Sequence, residues 1–503
     1  MTRALWHGLA AGLWVALLAP SGLAQNTPPG GGGGGNRGRG QGGRGEVRMP
    51  TPAFQTDVPA HPGSFILGRP TRTNITLSVL RHQDQEGYIA WGTQPGTPTR
   101  QTSPRLFPKG QPVEVVLDGL APGQRHYYEF RSRAPGSGSF QPGTEHSFTT
   151  ARPPGATFTF TVQADPHLDY GVDVPAYRKS LTNVLAARSD FHLDLGDTFM
   201  TDKYGAFTNA APQYLAQRYY FGLVGHSVPV FLVLGNHDGE MPGRGGTAPG
   251  SMTHWSNTMR KRYFPNPVPD GFYTGNATPD PQVGLPANYY AWEWGDALFL
   301  VLDPFWFSTR VRRGEGDNWS RTLGQAQYRW LQRTLESSRA RHRFVFIHHL
   351  VGGDSPEGRG GAEASRFFEW GGHELDGRHT FAQRRPGWEL PIHDLLVRHR
   401  VSAVFHGHDH IYAFQERDGL VYQLVPQPGH SRFDVTRNAA DYGYRSGVIQ
   451  GSAGILRVSV SPAEALVEYV RAYPDRAEAG GLKSGSVTHR YTLPGRDPAP
   501  APR

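Results

Sequence analysis

Five short apolar segments between residues 158 and 410 each run directly into a cluster of aspartate, asparagine or histidine. The segments read FTFTVQAD, DFHLDLGD, VPVFLVLGNHD, RFVFIHH and VSAVFHGHDH. Helix-like stretches such as PAYRKSLTNVLAAR and GQAQYRWLQRTLESSRA lie between them. Because unbroken apolar strands are buried on both faces, this alternation predicts an α/β domain whose helices cover its strands.

The polar clusters are expected to meet, since open α/β sheets bind ligands outside the carboxyl ends of their strands. Carboxylates, imidazoles and a side-chain amide are ligands for zinc, manganese or iron, and one carboxylate can bridge two such ions. Asp197, which follows the flexible Gly196, is the natural bridge. Each cluster alone is more often a turn or a strand cap. Five of them at successive strand ends favour a metal site.

The order Asp-x-His, Gly-Asp, Gly-Asn-His-Asp, His and Gly-His-x-His resembles the motif set of the calcineurin-like metallophosphoesterases, over residues 157 to about 494. The strand-rich region before it, together with NYYAWEWGDALFLVLD and GHDHIYAFQ inside the catalytic part, further resembles the purple acid phosphatase branch. The resemblance implies a four-layer α/β sandwich, the metallophosphatase fold, after a small all-β sandwich. It also implies two divalent metal ions, with iron, manganese and zinc all open.

The same resemblance implies which side chains hold the ions. One ion would lie on Asp165, His167, Asp197 and His410, and the other on Asp197, Asn236, His348 and His408.

The neighbours of these ligands are interpreted separately. His237 would be catalytic, by hydrogen bonding to the phosphate or by protonating the leaving oxygen. His348 is preferred to His349 because the family's ligand follows its strand directly, although the two could exchange. Asp238 and Asp409 receive no role.

Two positions depart from purple acid phosphatases. Those enzymes have a tyrosine where this chain has Met200, and they lack the histidine that His167 supplies. The iron–tyrosinate colour should therefore be absent, and a ferric ion is not required.

The residues predict a phosphoesterase that hydrolyses phosphate monoesters by in-line attack of a metal-bound hydroxide. The substrate would be a small-molecule phosphoester. A phosphodiesterase or nucleotidase using the same two metals is the alternative, because the motifs accommodate either kind of ester. The sequence does not indicate an oligomeric state.

The chain divides into five predicted parts. The first part has a basic Arg3, an apolar run and small residues before the cleavage point, which is typical of a Sec-type signal peptide. The protein should therefore be secreted or periplasmic, and no membrane span is expected. The parts are a signal peptide (1–24), a Gly/Arg-rich linker (25–49), a β-sandwich (50–152), the catalytic domain (153–494) and a disordered tail (495–503).

The β-sandwich prediction depends on alternation within HYYEF, where His126, Tyr128 and Phe130 share one face of a strand. The longer stretch LAPGQRHYYEF resembles fibronectin type III domains, with His126 where those domains usually have a tyrosine. The C-terminal strands are expected to complete a second sheet. The Gly- and Pro-rich stretch 239–287 is interpreted as a long functional or disordered loop.

Composition excludes some functions and leaves others open. With no cysteine, the chain has neither a cysteine zinc site nor a thiol nucleophile. Its net charge of +8 favours anionic partners. The Arg-Gly repeats of residues 30–48 also occur in nucleic-acid binders, but this segment is short, so a linker is favoured and no nucleic-acid partner is expected. An exported adhesion module with an inactive α/β domain is the remaining alternative.

Overall fold

The computed structural model describes residues 54–169, 171–309, 318–353 and 358–496. The signal peptide, the linker and most of the tail lie outside the described residues and stay predictions. Across the described part of the chain, no helix combines the length and the apolar character needed to cross a membrane.

The N-terminal region is entirely β. Its strands are β1 (Gly63–Gly68), β2 (Ile75–Arg81), β3 (Gln85–Gly92), β4 (Arg100–Gln101), β5 (Arg105–Phe107), β6 (Val113–Leu117), β7 (Arg125–Arg133) and β8 (His146–Thr149). They form two antiparallel sheets, in the orders β1-β2-β6 and β4-β3-β7-β8, with β5 beside β3. Apolar side chains of both sheets enclose one core. This is the small β-sandwich that the alternation predicts.

Strand β7 shows why this region folds as a sandwich. His126, Tyr128 and Phe130 are buried on one face, which confirms the predicted alternation. The ring Nε2 of His126 donates to the carbonyl of Ala121 at 3.1 Å. In immunoglobulin-like sandwiches a tyrosine at the corner bonds to an upstream backbone group. The imidazole of His126 makes a hydrogen bond of the same kind here. The fibronectin-like character of the domain stays a prediction.

The rest of the chain alternates strands with helices. The strands are β9 (Phe158–Gln163), β10 (Phe191–Asp194), β11 (Val230–Leu232), β12 (Thr274–Gly275), β13 (Tyr290–Trp294), β14 (Ala297–Val301), β15 (His342–Ile347), β16 (Ala403–His406), β17 (Tyr412–Arg417), β18 (Leu420–Leu424), β19 (Val448–Gln450), β20 (Gly454–Val460), β21 (Glu464–Arg471) and β22 (Val487–Pro494). The helices are α1 (Val174–Ala186), α2 (Ala211–Gly225), α3 (Pro242–Gly245), α4 (Met252–Tyr263), α5 (Gly324–Ser337), α6 (Phe368–Gly371), α7 (Phe381–Arg384), α8 (Ile392–Arg398) and α9 (Asp475–Glu478).

Two sheets face each other in this part of the structure. Their strand orders are β11-β10-β9-β20-β21-β22 and β12-β13-β14-β15-β16-β18-β17-β19. Between them lies an aromatic core that includes Phe160, Phe299, Phe344 and Phe405. Helices α1 and α2 cover the outer face of the first sheet, and α5 and α8 cover that of the second. The four layers confirm the predicted metallophosphatase α/β sandwich.

The sheets differ from the sequence prediction in one respect. The C-terminal strands do not share one sheet, because β18 pairs with β16 whereas β20 pairs with β9. The five polar clusters also come from two sheets. Strands β9 to β11 are parallel in one, and β15 and β16 are parallel in the other.

A buried arginine joins the sandwich to the α/β part. The guanidinium of Arg218, on α2, donates to Ser64 Oγ at 3.0 Å and to the carbonyl of Ser78 at 2.6 Å. It also donates to the carbonyl of Tyr263. A buried charge is tolerated only when its hydrogen bonds are made, so these contacts fix helix α2 against strands β1 and β2.

Candidate metal centre

Three predicted ligands, Asp165, His167 and His410, lie together after strands β9 and β16. The Oδ1 atom of Asp165 is 3.5 Å from Nε2 of His410, and Nε2 of His167 is 3.2 Å from the same nitrogen. The other ring nitrogen of His167 is 3.1 Å from Oδ2 of Asp169. This nearby carboxylate favours a proton on Nδ1, which would leave Nε2 of a neutral His167 ring with its lone pair.

The other four predicted ligands form a second group beside the first. The Nδ1 atom of His348 donates to the carbonyl of Leu195 at 2.8 Å. In the neutral ring its Nε2 atom keeps a lone pair, and this nitrogen faces three further ligand atoms. They are Asn236 Oδ1 at 3.0 Å, His408 Nδ1 at 3.3 Å and Asp197 Oδ2 at 3.4 Å.

The donor set fits divalent metal ions. The Oδ1 atom of Asp165 is buried and receives no hydrogen bond from a described residue. Burial opposes a charge on His348, but Asp197 and Asp165 prevail and raise its pKa to about 10. A buried cluster of lone pairs that attracts a proton so strongly is a place where a cation is favoured. Asp197, His348 and His408 each offer one ligand atom within 4.8 Å of the others.

The backbone at these residues is unusual. Asp165, Asp197, His408 and His410 have φ angles of 58°, 55°, 80° and 56°. Residues with a β-carbon rarely adopt this left-handed backbone conformation, and those that do are concentrated at functional sites. Gly196 has the predicted freedom, with φ at 94°, and a β-carbon there would lie 2.3 Å from the backbone nitrogen of Gly235.

His237 borders the second group through its backbone and its ring. Its backbone N–H donates to Asp197 Oδ1 at 2.8 Å. Its ring Nδ1 lies 2.8 Å from Oδ1 of Asp202, whose side chain is buried. Arg244 forms an ion pair with the same carboxylate. The contact with Asp202 therefore occupies Nδ1 of His237 and not Nε2.

Asp202 and Arg244 are site residues that the sequence interpretation missed. Asp202 lies five positions after Asp197, and Arg244 lies in the glycine-rich stretch after His237. Neither stands in a motif or at a strand end. Only the folded chain brings them to His237.

The histidine pair and Asp238 now have clear positions. His348 faces the ligand group, whereas the ring nitrogens of His349 lie at Arg321 and at the carbonyl of Leu350, at 3.2 and 3.0 Å. Asp238 accepts backbone N–H groups of residues 197, 198, 199 and 235. Burial and the charge of Asp197 raise the pKa of Asp238 to about 7. It holds the two ligand loops together.

Known proteins share this fold. The calcineurin-like phosphoesterase family model matches residues 158–412. No curated protein matches the chain. Among solved structures, PhoD is 13% identical, covers 88% of this chain and 92% of its own, and has a TM-score of 0.61. The purple acid phosphatase PPD1 from yellow lupin (Lupinus luteus) seeds is 15% identical, covers 87% of this chain and 74% of its own, and has a TM-score of 0.56.

Structural likeness at these low sequence identities shows only a shared fold. The family model matches just over half of the chain and therefore establishes the family. The chain therefore belongs to the calcineurin-like phosphoesterase family and is a metal-dependent hydrolase of phosphate esters.

Proposed function

We propose that the protein hydrolyses phosphate monoesters at a centre of two divalent metal ions. Seven residues would hold the ions: Asp165, His167, Asp197, Asn236, His348, His408 and His410. The observation that carries the proposal is the arrangement of lone pairs, in which ring nitrogens and side-chain oxygens from both sheets face one another at 3.0–3.5 Å.

Both carboxylates are already oriented for this task. Oδ2 of Asp165 accepts the backbone N–H of His408 at 2.8 Å, so Oδ1 is left for an ion. Oδ1 of Asp197 accepts the backbone N–H of His237, so Oδ2 is left beside His348. When bound, two ions would supply a nucleophile from water and neutralise charge on the phosphate oxygens.

His237 is proposed to hold and deliver a proton at Nε2. Asp202 accepts from Nδ1 and so fixes the ring orientation, and Arg244 on the same carboxylate restrains Asp202. A proton delivered from Nε2 would reach the oxygen of the departing alcohol. This role does not require His237 to bind metal.

We expect His237→Ala to lower kcat by about 10²–10⁴-fold for an alkyl phosphate and much less for an aryl phosphate with an acidic phenol. A poor leaving group needs the proton, whereas a good one departs without it. Steady-state rates over a series of leaving groups measure the difference. Asp202→Asn, which keeps the imidazole, should show the same trend with smaller losses. Equal losses across the series would exclude the proton-donor role.

The monoester proposal is tested with the purified protein supplied in turn with manganese, zinc and iron. We expect turnover of an aryl phosphate monoester to exceed that of the matched diester. Asn236→Ala should lose at least about 100-fold in kcat/KM, since a ligand to one ion is gone. Asn209→Ala changes an exposed asparagine and serves as the control. Faster diester turnover would instead establish the phosphodiesterase alternative, and activity without any metal would exclude both.

A further inference from the structure

Asp409 lies between two predicted ligands, His408 and His410, but its own side chain points elsewhere. It is 3% exposed. Its Oδ1 atom accepts from Arg359 Nη1 at 2.5 Å. Its Oδ2 atom accepts from the hydroxyl of Tyr444 at 2.7 Å and from the backbone of residue 360 at 3.1 Å. One carboxylate thus binds two separate chain segments behind the metal centre.

The backbone on both sides of this carboxylate is in the left-handed region. His408 has a φ of 80° and His410 a φ of 56°. Such residues persist only where the surrounding structure holds them. The bonds of Asp409 hold the centre of this tripeptide, while its ends are held by the bond from the His408 N–H to Asp165 and by the bond from Ser452 Oγ to the carbonyl of His410. Loss of the central bonds should let both neighbours relax towards ordinary backbone angles.

The segments that Asp409 binds are themselves joined. The guanidinium of Arg359 lies 4.1 Å from the ring centre of Tyr442. Nearby, Glu363 accepts from the backbone of Arg445 at 3.0 Å and from Ser446 Oγ at 2.8 Å. The two segments that Asp409 binds are therefore held to each other by further contacts.

We propose that Asp409 is a positioning residue for both metal ions. This inference rests on the proposed function, in which His410 belongs to one ion and His408 to the other. Because Asp409 stands between one proposed ligand of each ion, its carboxylate sets the backbone geometry at both ligands. Asp409 itself contacts neither ion.

Metal binding by the full-length protein tests the proposal without reference to activity. Metal-free wild type and Asp409→Asn are titrated with Zn²⁺ in chelator-buffered solutions, and bound zinc is counted by elemental analysis. We expect two ions in the wild type and an affinity about 10- to 100-fold weaker for both in the variant. Tyr444→Phe removes one of the bonds and should give a smaller loss at both ions.

A matched variant separates positioning from loss of stability. Glu369 is another buried carboxylate that pairs with an arginine, Arg385, and accepts the backbone N–H of Leu323 at 2.7 Å. Glu369→Gln should lower Tm while zinc affinity stays at the wild-type value. Wild-type affinity in Asp409→Asn, weakening at one ion only, or an equal loss in Glu369→Gln would overturn the positioning role alone. A wild type that binds no zinc would overturn the metal centre, and the positioning role with it.

Discussion

Asp197→Asn is expected to lose about three orders of magnitude in kcat/KM for an aryl phosphate, since each factor of ten corresponds to about 1.4 kcal/mol and metal ions supply several kcal/mol. Asp197 is the carboxylate that the proposed centre shares between both ions. Its Oδ2 atom lies 3.4 Å from His348 Nε2. An amide there brings no charge, so both ions lose the anionic ligand that they would share.

The measurement pairs steady-state kinetics with the metal content of the purified variant. We expect the ions and the activity to disappear together. Asp376→Asn, at an exposed carboxylate paired with Arg378, should retain both. An Asp197→Asn enzyme that keeps its metals and more than a tenth of its activity would show that this residue does not bridge the ions.

The metal-ligand candidates could be predicted because each follows a strand directly. Asp165, Asp197, Asn236, His348 and His408 stand one to four residues after strands that the apolar runs mark plainly. Within each of the two sheets, parallel strands bring their carboxyl ends to one edge, so position along the chain predicts which clusters of that sheet lie close together. Nothing comparable marks Asp202 or Arg244, whose contact with His237 depends on how the loops fold back.

Helix α4 shows a second limit of sequence interpretation. Residues 239–287 look like a long loop, yet they contain α3, α4 and β12. Hydrophobic periodicity finds a helix by its apolar stripe, but α4 buries Thr253, Ser256, Asn257 and Arg260. The apolar stripe of α4 is narrow, with Trp255, Met259 and Tyr263 at spacings of four residues. The partners that satisfy its polar face are distant in the sequence.

The polar face of α4 is held mainly by one ion pair. The guanidinium of Arg260 donates to Glu240 from Nε at 2.6 Å and from Nη2 at 2.8 Å, and both side chains are 1% exposed. Asn257 donates to the same carboxylate at 2.8 Å. Glu240 lies three residues after His237, so this pair connects the helix to the loop that carries the proposed proton donor.

Arg260→Met should destabilise the protein by about 3–5 kcal/mol, because it leaves the Glu240 carboxylate buried without its counter-charge. Thermal unfolding should show a Tm lower by roughly 3–5 °C, with activity falling at temperatures where the wild type is still active. The Glu240→Leu/Arg260→Met double variant removes both charges and should recover part of the loss, as a double-mutant cycle would reveal. Arg378→Met, in an exposed ion pair, is the control and should leave Tm unchanged. If Arg260→Met matches that control, the polar face of α4 is held by its remaining hydrogen bonds and not by the ion pair.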